Sequence, residues 1–263
     1  LETALRVAGA GDAGPAAPAL VGGSDPASRY DDVEGALGRW FDLAERHGTG
    51  LDLHLHDGGT LGAYTPERLI ETAADRGLGG RVTASHAYGL AHVPDWRVDE
   101  LVTAAERVDL ALVTCYQSTR TTMPVETLLD RPVRFGHGTD NDRDFVFPHG
   151  NADSVEGALI LLHKLHGDRT VEADYRPLET NDGLDRLWDL LTYDGAEVLG
   201  IEDGYGLAPG DRADLVVFDS PSPAWAIFDA EAPRAVIKRG RLVATDGAVR
   251  ETVSPLAHTS PER

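Results

Sequence analysis

One pattern constrains this chain more than any other: a short apolar run followed by an amphipathic stretch, repeated along its first half. Residues 19–21, 51–56, 81–86, 110–115 and 133–138 are strand-like. Between them, residues 32–47, 65–76, 98–107 and 125–130 carry apolar side chains at helical spacing. In the first of these stretches Val33, Ala36, Leu37, Trp40, Phe41 and Ala44 share a face, with an acidic start and a basic end. Gly22-Gly23 is expected to halt the first strand, Gly48 and Gly50 to stop the helix before the second, and Thr65-Pro66 to open the next helix. Strand and helix alternating through short links predicts an α/β fold with a parallel sheet.

Two further helices are expected over residues 154–166 and 184–199. After Gly200 the pattern changes to short strands at residues 214–219, 235–238 and 242–244, with a turn at Arg239-Gly240-Arg241. The expected organisation is therefore three-part: residues 1–199 form part of an α/β barrel, 200–250 a small β-sandwich module, and 251–263 a disordered tail. Before the first strand, residues 1–7 read as the end of a helix and 8–18 as a Gly/Ala/Pro-rich loop. A full (β/α)8 barrel needs about 250 residues. Five visible strands cannot close one, which leaves an open sheet or a barrel whose other strands lie upstream.

Charge narrows the function. With 44 acidic against 24 basic residues the formal net charge is -20, and Lys164 and Lys238 are the only lysines. Such a surface repels phosphate backbones and anionic lipids, so no nucleic-acid or membrane partner is expected. The balance suits either a protein adapted to concentrated salt or an ordinary acidic cytosolic one. Cys115 is the single cysteine, so no intrachain disulfide can form; in the run LALVTC it reads as a small buried hydrophobe. No run of eighteen apolar residues and no signal-peptide pattern is visible, and the expected location is the cytoplasm.

Metal-ligand residue types gather at strand ends. His54 and His56 end LDLHLHD, His86 ends RVTASH, and His137 and Asp140 end VRFGHGTD. In a parallel α/β barrel these ends form the catalytic face, and imidazole with carboxylate is the ligand set for zinc or iron(II). His54 and His56 alternate along a strand and point to one side, so both could bind one ion. His137 could equally shape the strand end. His92, His149, His163 and His166 read as ordinary core or surface histidines.

The segments VGGSDPASRYDDVEGAL, LDLHLHDGG, RVTASHA and GTDNDRDFVFPHGNAD resemble, in this order, those of bacterial cytosine deaminases and related aminohydrolases of the amidohydrolase superfamily. GLAPGDRADLVVFD followed by AVIKRGRLVA resembles the superfamily's C-terminal β-sandwich strands. The resemblance runs from near Leu1 to about Val249 and implies a partial (β/α)8 barrel whose family-typical first strand, with its HxH ligand pair, would precede Leu1. It implies His54 and Asp140 as metal ligands, His86 and Asp140 as catalytic groups, and Asn141 facing a small heterocyclic substrate. Asp57 stands where the deaminases carry a proton-shuttling glutamate. The strand ending at Gly22-Gly23 has no lysine to carboxylate, so one divalent ion is implied rather than two.

The implied reaction is hydrolysis of a C–N bond in a small heterocycle or cyclic amide. Cytosine-like deamination comes first, and amine release from an N-alkylated triazine-like ring second, favoured by the shorter Asp57. The competing reading is a catalytically incompetent homologue, acting as a binding or scaffold protein. A homo-oligomer is compatible with either.

Overall fold

In the computed structural model the described residues are 19–115, 123–140, 143–144, 148, 150–167, 180–201 and 204–250. Strands β1 (Val21–Ser24), β2 (Leu51–His54), β3 (Val82–Ser85), β4 (Ala111–Cys115) and β5 (Phe135–Gly138) form one sheet in the order β1-β2-β3-β4-β5. All four neighbouring pairs are parallel. The connections carry α1 (Pro26–Tyr30), α2 (Val33–His47), α3 (Gly59–Asp75), a 3-10 turn (Tyr88–His92), α4 (Asp95–Arg107) and α5 (Val125–Leu129). Every strand runs the same way, so the carboxyl ends share one edge: Ser24 is opposite His54, and His54 opposite Ser85.

Helix α2 forms where the spacing places it. Asp32 caps α2 by accepting from the Gly35 amide at 2.8 Å, and Gly48 ends it in a left-handed conformation. Leu37, Phe41 and Ala44 of α2, Leu69 and Ala73 of α3, and Leu101, Val102 and Ala105 of α4 are buried, as are Leu51, Leu53, Val82, Ala84 and Leu112 of the strands. This apolar layer fixes the strand ends relative to one another.

Two expectations are corrected here. Gly22-Gly23 does not halt β1: Gly22 pairs with Asp52 and Gly23 with Leu53. A Cβ on Gly23 would lie 2.7 Å from Trp40 Cε2 and 2.9 Å from Leu53 Cδ2, so the glycine makes room for the indole within the strand. Nor does Thr65-Pro66 open α3, which starts at Gly59 and carries Pro66 inside it. Proline has no N–H to give the carbonyl of Gly62, and that part of the helix lies against the backbone of Gly89.

The described residues fall into two compact units, dividing between Ala152 and Asp153. The second contains α6 (Ser154–Gly167), α7 (Asn181–Leu191), α8 (Tyr193–Leu199), β6 (Leu215–Val217), α9 (Pro223–Phe228), β7 (Ala235–Lys238), β8 (Arg241–Thr245) and β9 (Ala248–Val249). The change of sequence pattern comes after Gly200, yet the helices from residue 154 onward group with the antiparallel sheet β6-β7-β8-β9. The single helix expected over 184–199 is two, broken at Thr192, whose backbone (φ -125°, ψ -90°) is not helical. No described helix is long and apolar enough to cross a membrane. Residues 1–18 and the tail expected to be disordered lie outside the described residues.

Candidate active site

The polar residues at the carboxyl edge of the first sheet converge. His54 is the last residue of β2, His86 follows β3, Cys115 ends β4, and Asp140 lies two residues beyond β5. The Nε2 of His86 is 3.0 Å from Nδ1 of His54 and 3.9 Å from Oδ2 of Asp140. On the opposite edge of its ring, His86 Nδ1 faces the Tyr88 hydroxyl at 3.1 Å and Cys115 Sγ at 3.4 Å. Cys115 Sγ is also 3.8 Å from Asp140 Oδ2. The expectation that Cys115 is buried holds, and its thiol adjoins the site besides.

Three residues at strand ends take left-handed backbone: Asp25 after β1 (φ 45°), His86 after β3 (φ 70°) and Asp140 after β5 (φ 57°). Aspartate and histidine tolerate this region better than most residues, and such positions cluster at functional sites. His86 is held there by its amide donating to the Val113 carbonyl at 2.8 Å. The next turn is anchored by the Tyr88 amide donating to the Leu55 carbonyl at 3.3 Å.

His56 stands beside this group. Its ring centroid is 4.4 Å from that of His86 and 6.0 Å from that of His54. Its Nδ1 lies 2.8 Å from Asp25 Oδ2, and its amide donates to Asp25 Oδ1 at 2.6 Å. Asp25 is buried and also accepts from the Ser24 hydroxyl at 2.7 Å. Burial alone would raise its pKa, but the hydrogen bonds from the His56 ring and amide and from Ser24 outweigh it, and the carboxyl is held well below the usual range. Burial first, then the nearby His56, pushes His86 down to about 4, against the opposing pull of Asp140. Burial also pushes His137 down to about 4. His86 and His137 are therefore neutral at pH 7.

Of the residues expected from sequence, His54, His86 and Asp140 are brought together. Asp57 follows them in the β2 loop, and its Oδ2 is buried with no hydrogen-bond partner among the described residues. Asn141 lies outside the described residues. Asp25 and Tyr88 were not foreseen: each is an ordinary loop residue in sequence, and only strand pairing brings them to the histidines. Among the described residues two donor groups result, His54–His56–His86 and His86–Cys115–Asp140, and in each the ligand atoms all lie within 4.8 Å of one another. Imidazole, thiol and carboxylate at this spacing fit a divalent ion of the zinc type.

The Amidohydrolase family model matches residues 5–248. The chain belongs to the amidohydrolase family. It is 43% identical over 230 residues to N-isopropylammelide isopropyl amidohydrolase of Pseudomonas sp. strain ADP, covering 88% of this chain and 54% of the relative. The crystal structure of N-isopropylammelide isopropylaminohydrolase from Burkholderia multivorans superposes with a TM-score of 0.79 at 32% identity, over 88% of this chain and 56% of that one. The 5-methylcytosine deaminase of Klebsiella pneumoniae, solved with 5-fluorocytosine, gives 0.74 at 23% identity, over 90% of this chain and 58% of that one, and bears on the fold. The chain thus spans about half the length of the relatives it matches. The sheet and helices are those of TIM-barrel amidohydrolases, and the superfamily uses a divalent metal.

Proposed function

We propose that the protein carrying this chain hydrolyses a C–N bond on a small nitrogen heterocycle and releases an amine. An N-alkylated, triazine-like ring is the substrate class. The observation that carries the reading is the gathering of His54 and Asp140 around His86 at the carboxyl edge of the parallel sheet, in a chain 43% identical to N-isopropylammelide isopropyl amidohydrolase. Cytosine-type deamination is the second reading, supported by the fold shared with 5-methylcytosine deaminase.

In this reading His54 and Asp140 would hold one divalent ion, zinc or iron(II). Such an ion would supply a polarised water whose pKa is brought toward about 7. Asp140 takes the proton from that water as it attacks the ring carbon. His86, neutral and clamped between His54 and the Tyr88–Cys115 pair, steadies the water and the developing charge. Asp57 protonates the departing nitrogen, and Asn141 contacts the ring. The unpartnered, buried Oδ2 of Asp57 supports a role completed only by substrate. General acid–base steps of this kind contribute about 10²–10⁴-fold each.

The test is a substrate panel with the full reading frame. Zinc- or iron-loaded protein is assayed for isopropylamine release from N-isopropylammelide and ammonia release from cytosine and 5-methylcytosine. Preferential amine release bears out the first reading and ammonia release the second. Inactivity on all three would leave the scaffold alternative.

A further inference from the structure

His92 reads in sequence as an ordinary histidine, yet the turn it closes does more than link β3 to α4. Three contacts join that turn, Tyr88–His92, to the residues around the site. The Tyr88 hydroxyl faces His86 Nδ1 at 3.1 Å. The Tyr88 amide donates to the Leu55 carbonyl at 3.3 Å, and the Gly59 amide donates to His92 Nδ1 at 3.1 Å. Leu55 and Gly59 stand on either side of Asp57, two residues away in each direction. One turn therefore holds the chain before and after Asp57 and touches His86 as well.

The loop has little else in its own sequence to hold it. Asp57 is followed by Gly58-Gly59, and Gly59 takes a left-handed backbone (φ 65°). Consecutive glycines have the greatest backbone freedom to lose. Helix α3 begins at Gly59, and Gly58 at its N-cap brings no side chain to the first-turn amides. His92 supplies that acceptor from another element. Its ring also lies against Gly58, where a Cβ would stand 3.1 Å from both Nδ1 and Cε1. A backbone N–H can only donate, so Nδ1 carries the lone pair and the ring proton sits on Nε2. His92 is exposed, so replacing it leaves the buried core unchanged. What the contact fixes is the place of Asp57, whose Oδ2 is buried with no hydrogen-bond partner among the described residues.

We propose that His92 is a positioning residue, holding the Gly58-Gly59 loop so that Asp57 meets the departing nitrogen. The proposal rests on the reading that Asp57 protonates that nitrogen. In that step the C–N bond breaks, its electron pair stays with nitrogen, and the Asp57 proton joins it. The proton that Asp140 takes from water replaces the one Asp57 gives. A strongly basic alkylamine depends on that proton to leave, and a weakly basic amine depends on it less.

The test is steady-state turnover by the metal-loaded full reading frame on N-isopropylammelide and on its N-trifluoroethyl analogue, whose amine is far less basic. His92→Phe keeps a ring beside Gly58 but has no acceptor, whereas His92→Asn carries its amide oxygen in the place of Nδ1. For isopropylamine release, His92→Phe is expected to lower kcat about 10–100-fold with KM little changed, and His92→Asn to stay within about threefold of wild type. On the trifluoroethyl substrate the loss in His92→Phe should shrink to about threefold or less. Metal content and thermal melts show which variants are loaded and folded, and His92→Ala, which also lacks the acceptor, replaces His92→Phe if that protein fails to fold. Asp57→Asn is run alongside. If Asp57→Asn loses more on the basic leaving group while His92→Phe loses nothing or loses equally on both substrates, the positioning role is wrong and the role of Asp57 stands. If His92→Asn falls as far as His92→Phe, the hydrogen bond is not what places the loop, and the proposal is overturned. If Asp57→Asn matches wild type or loses equally on both substrates, or if wild type releases no amine, the reading of Asp57 is wrong and the positioning role falls with it.

Discussion

Replacing Gly62 with alanine sets two effects of opposite sign against each other. Gly62 lies inside α3, where alanine is favoured over glycine by about 1 kcal/mol of helix propensity. Propensity alone therefore predicts a more stable protein. The packing predicts the reverse. A Cβ on Gly62 would lie 2.8 Å from Gly89 Cα and closer still to the carbonyl of Asp57. Both are backbone atoms, so no side chain can swing aside, and the helix and the Tyr88–His92 turn must separate. Forced insertions of this kind cost about 1–3 kcal/mol beyond what relaxation recovers. The expected net loss is up to about 2 kcal/mol, a fall in Tm of up to roughly 8 °C at this chain size. The turn carries Tyr88 and the affected carbonyl belongs to Asp57, so a shift near 1 Å also moves two residues of the site. Misplacement of that size costs up to about 100-fold in turnover. Gly38→Ala in α2 is the control: its Cβ would have only Arg76 Nη2 within 4 Å, at 3.9 Å, and a gain of up to about 1 kcal/mol is expected. Urea denaturation of both variants measures the sign. A Gly62→Ala protein as stable as Gly38→Ala, with unchanged activity, would refute the packing argument.

Acid should destabilise the fold through His137. Its pKa is lowered from the free value of 6.5 to about 4, so the unfolded chain binds the proton first and stability is lost as pH falls from about 6.5 to about 4. The loss is on the order of 2–3 kcal/mol and is read from the urea midpoint at pH 7, 5 and 4; a flat midpoint would contradict it. Arg131→Ala should cost about 1–3 kcal/mol, because its guanidinium bonds Glu106 at 2.6 and 2.9 Å and Thr103 at 2.7 Å, and pairs with Asp99, fastening the end of α5 to α4. With a net charge of -20, the chain should melt at a higher temperature in 1 M than in 0.05 M potassium chloride, and an unchanged Tm would show that self-repulsion is minor.

The strands and most helices were legible because buried apolar runs and helical spacing act locally. β2 to β5 lie within the expected ranges, and α2 starts at the expected acidic cap. The misreadings have tertiary causes. Gly22-Gly23 resembles a stop until Trp40, arriving from α2, explains why a strand carries glycine. Pro66 resembles a helix start until Gly62 and Gly89 meet. The cluster of His54, His86 and Asp140 was visible as strand-end residues and through resemblance. Asp25 was not, because it precedes His56 by 31 residues and only the β1–β2 pairing brings them together. Tyr88 and the thiol of Cys115 escaped for the same reason. The left-handed backbone at Asp25, His86 and Asp140 is only weakly marked in residue type, since none of the three is glycine.

The central claim is that His54, His86 and Asp140 form one hydrolytic centre, and steady-state amine release tests it most directly. With the full reading frame loaded with metal, His86→Ala should lower kcat for N-isopropylammelide by about 10²–10⁴-fold while KM changes little, and Asp140→Asn at least as much. Metal content is measured alongside, so that loss of the ion and loss of the catalytic group are told apart. Turnover within threefold of wild type in the metal-loaded His86→Ala protein would contradict the account.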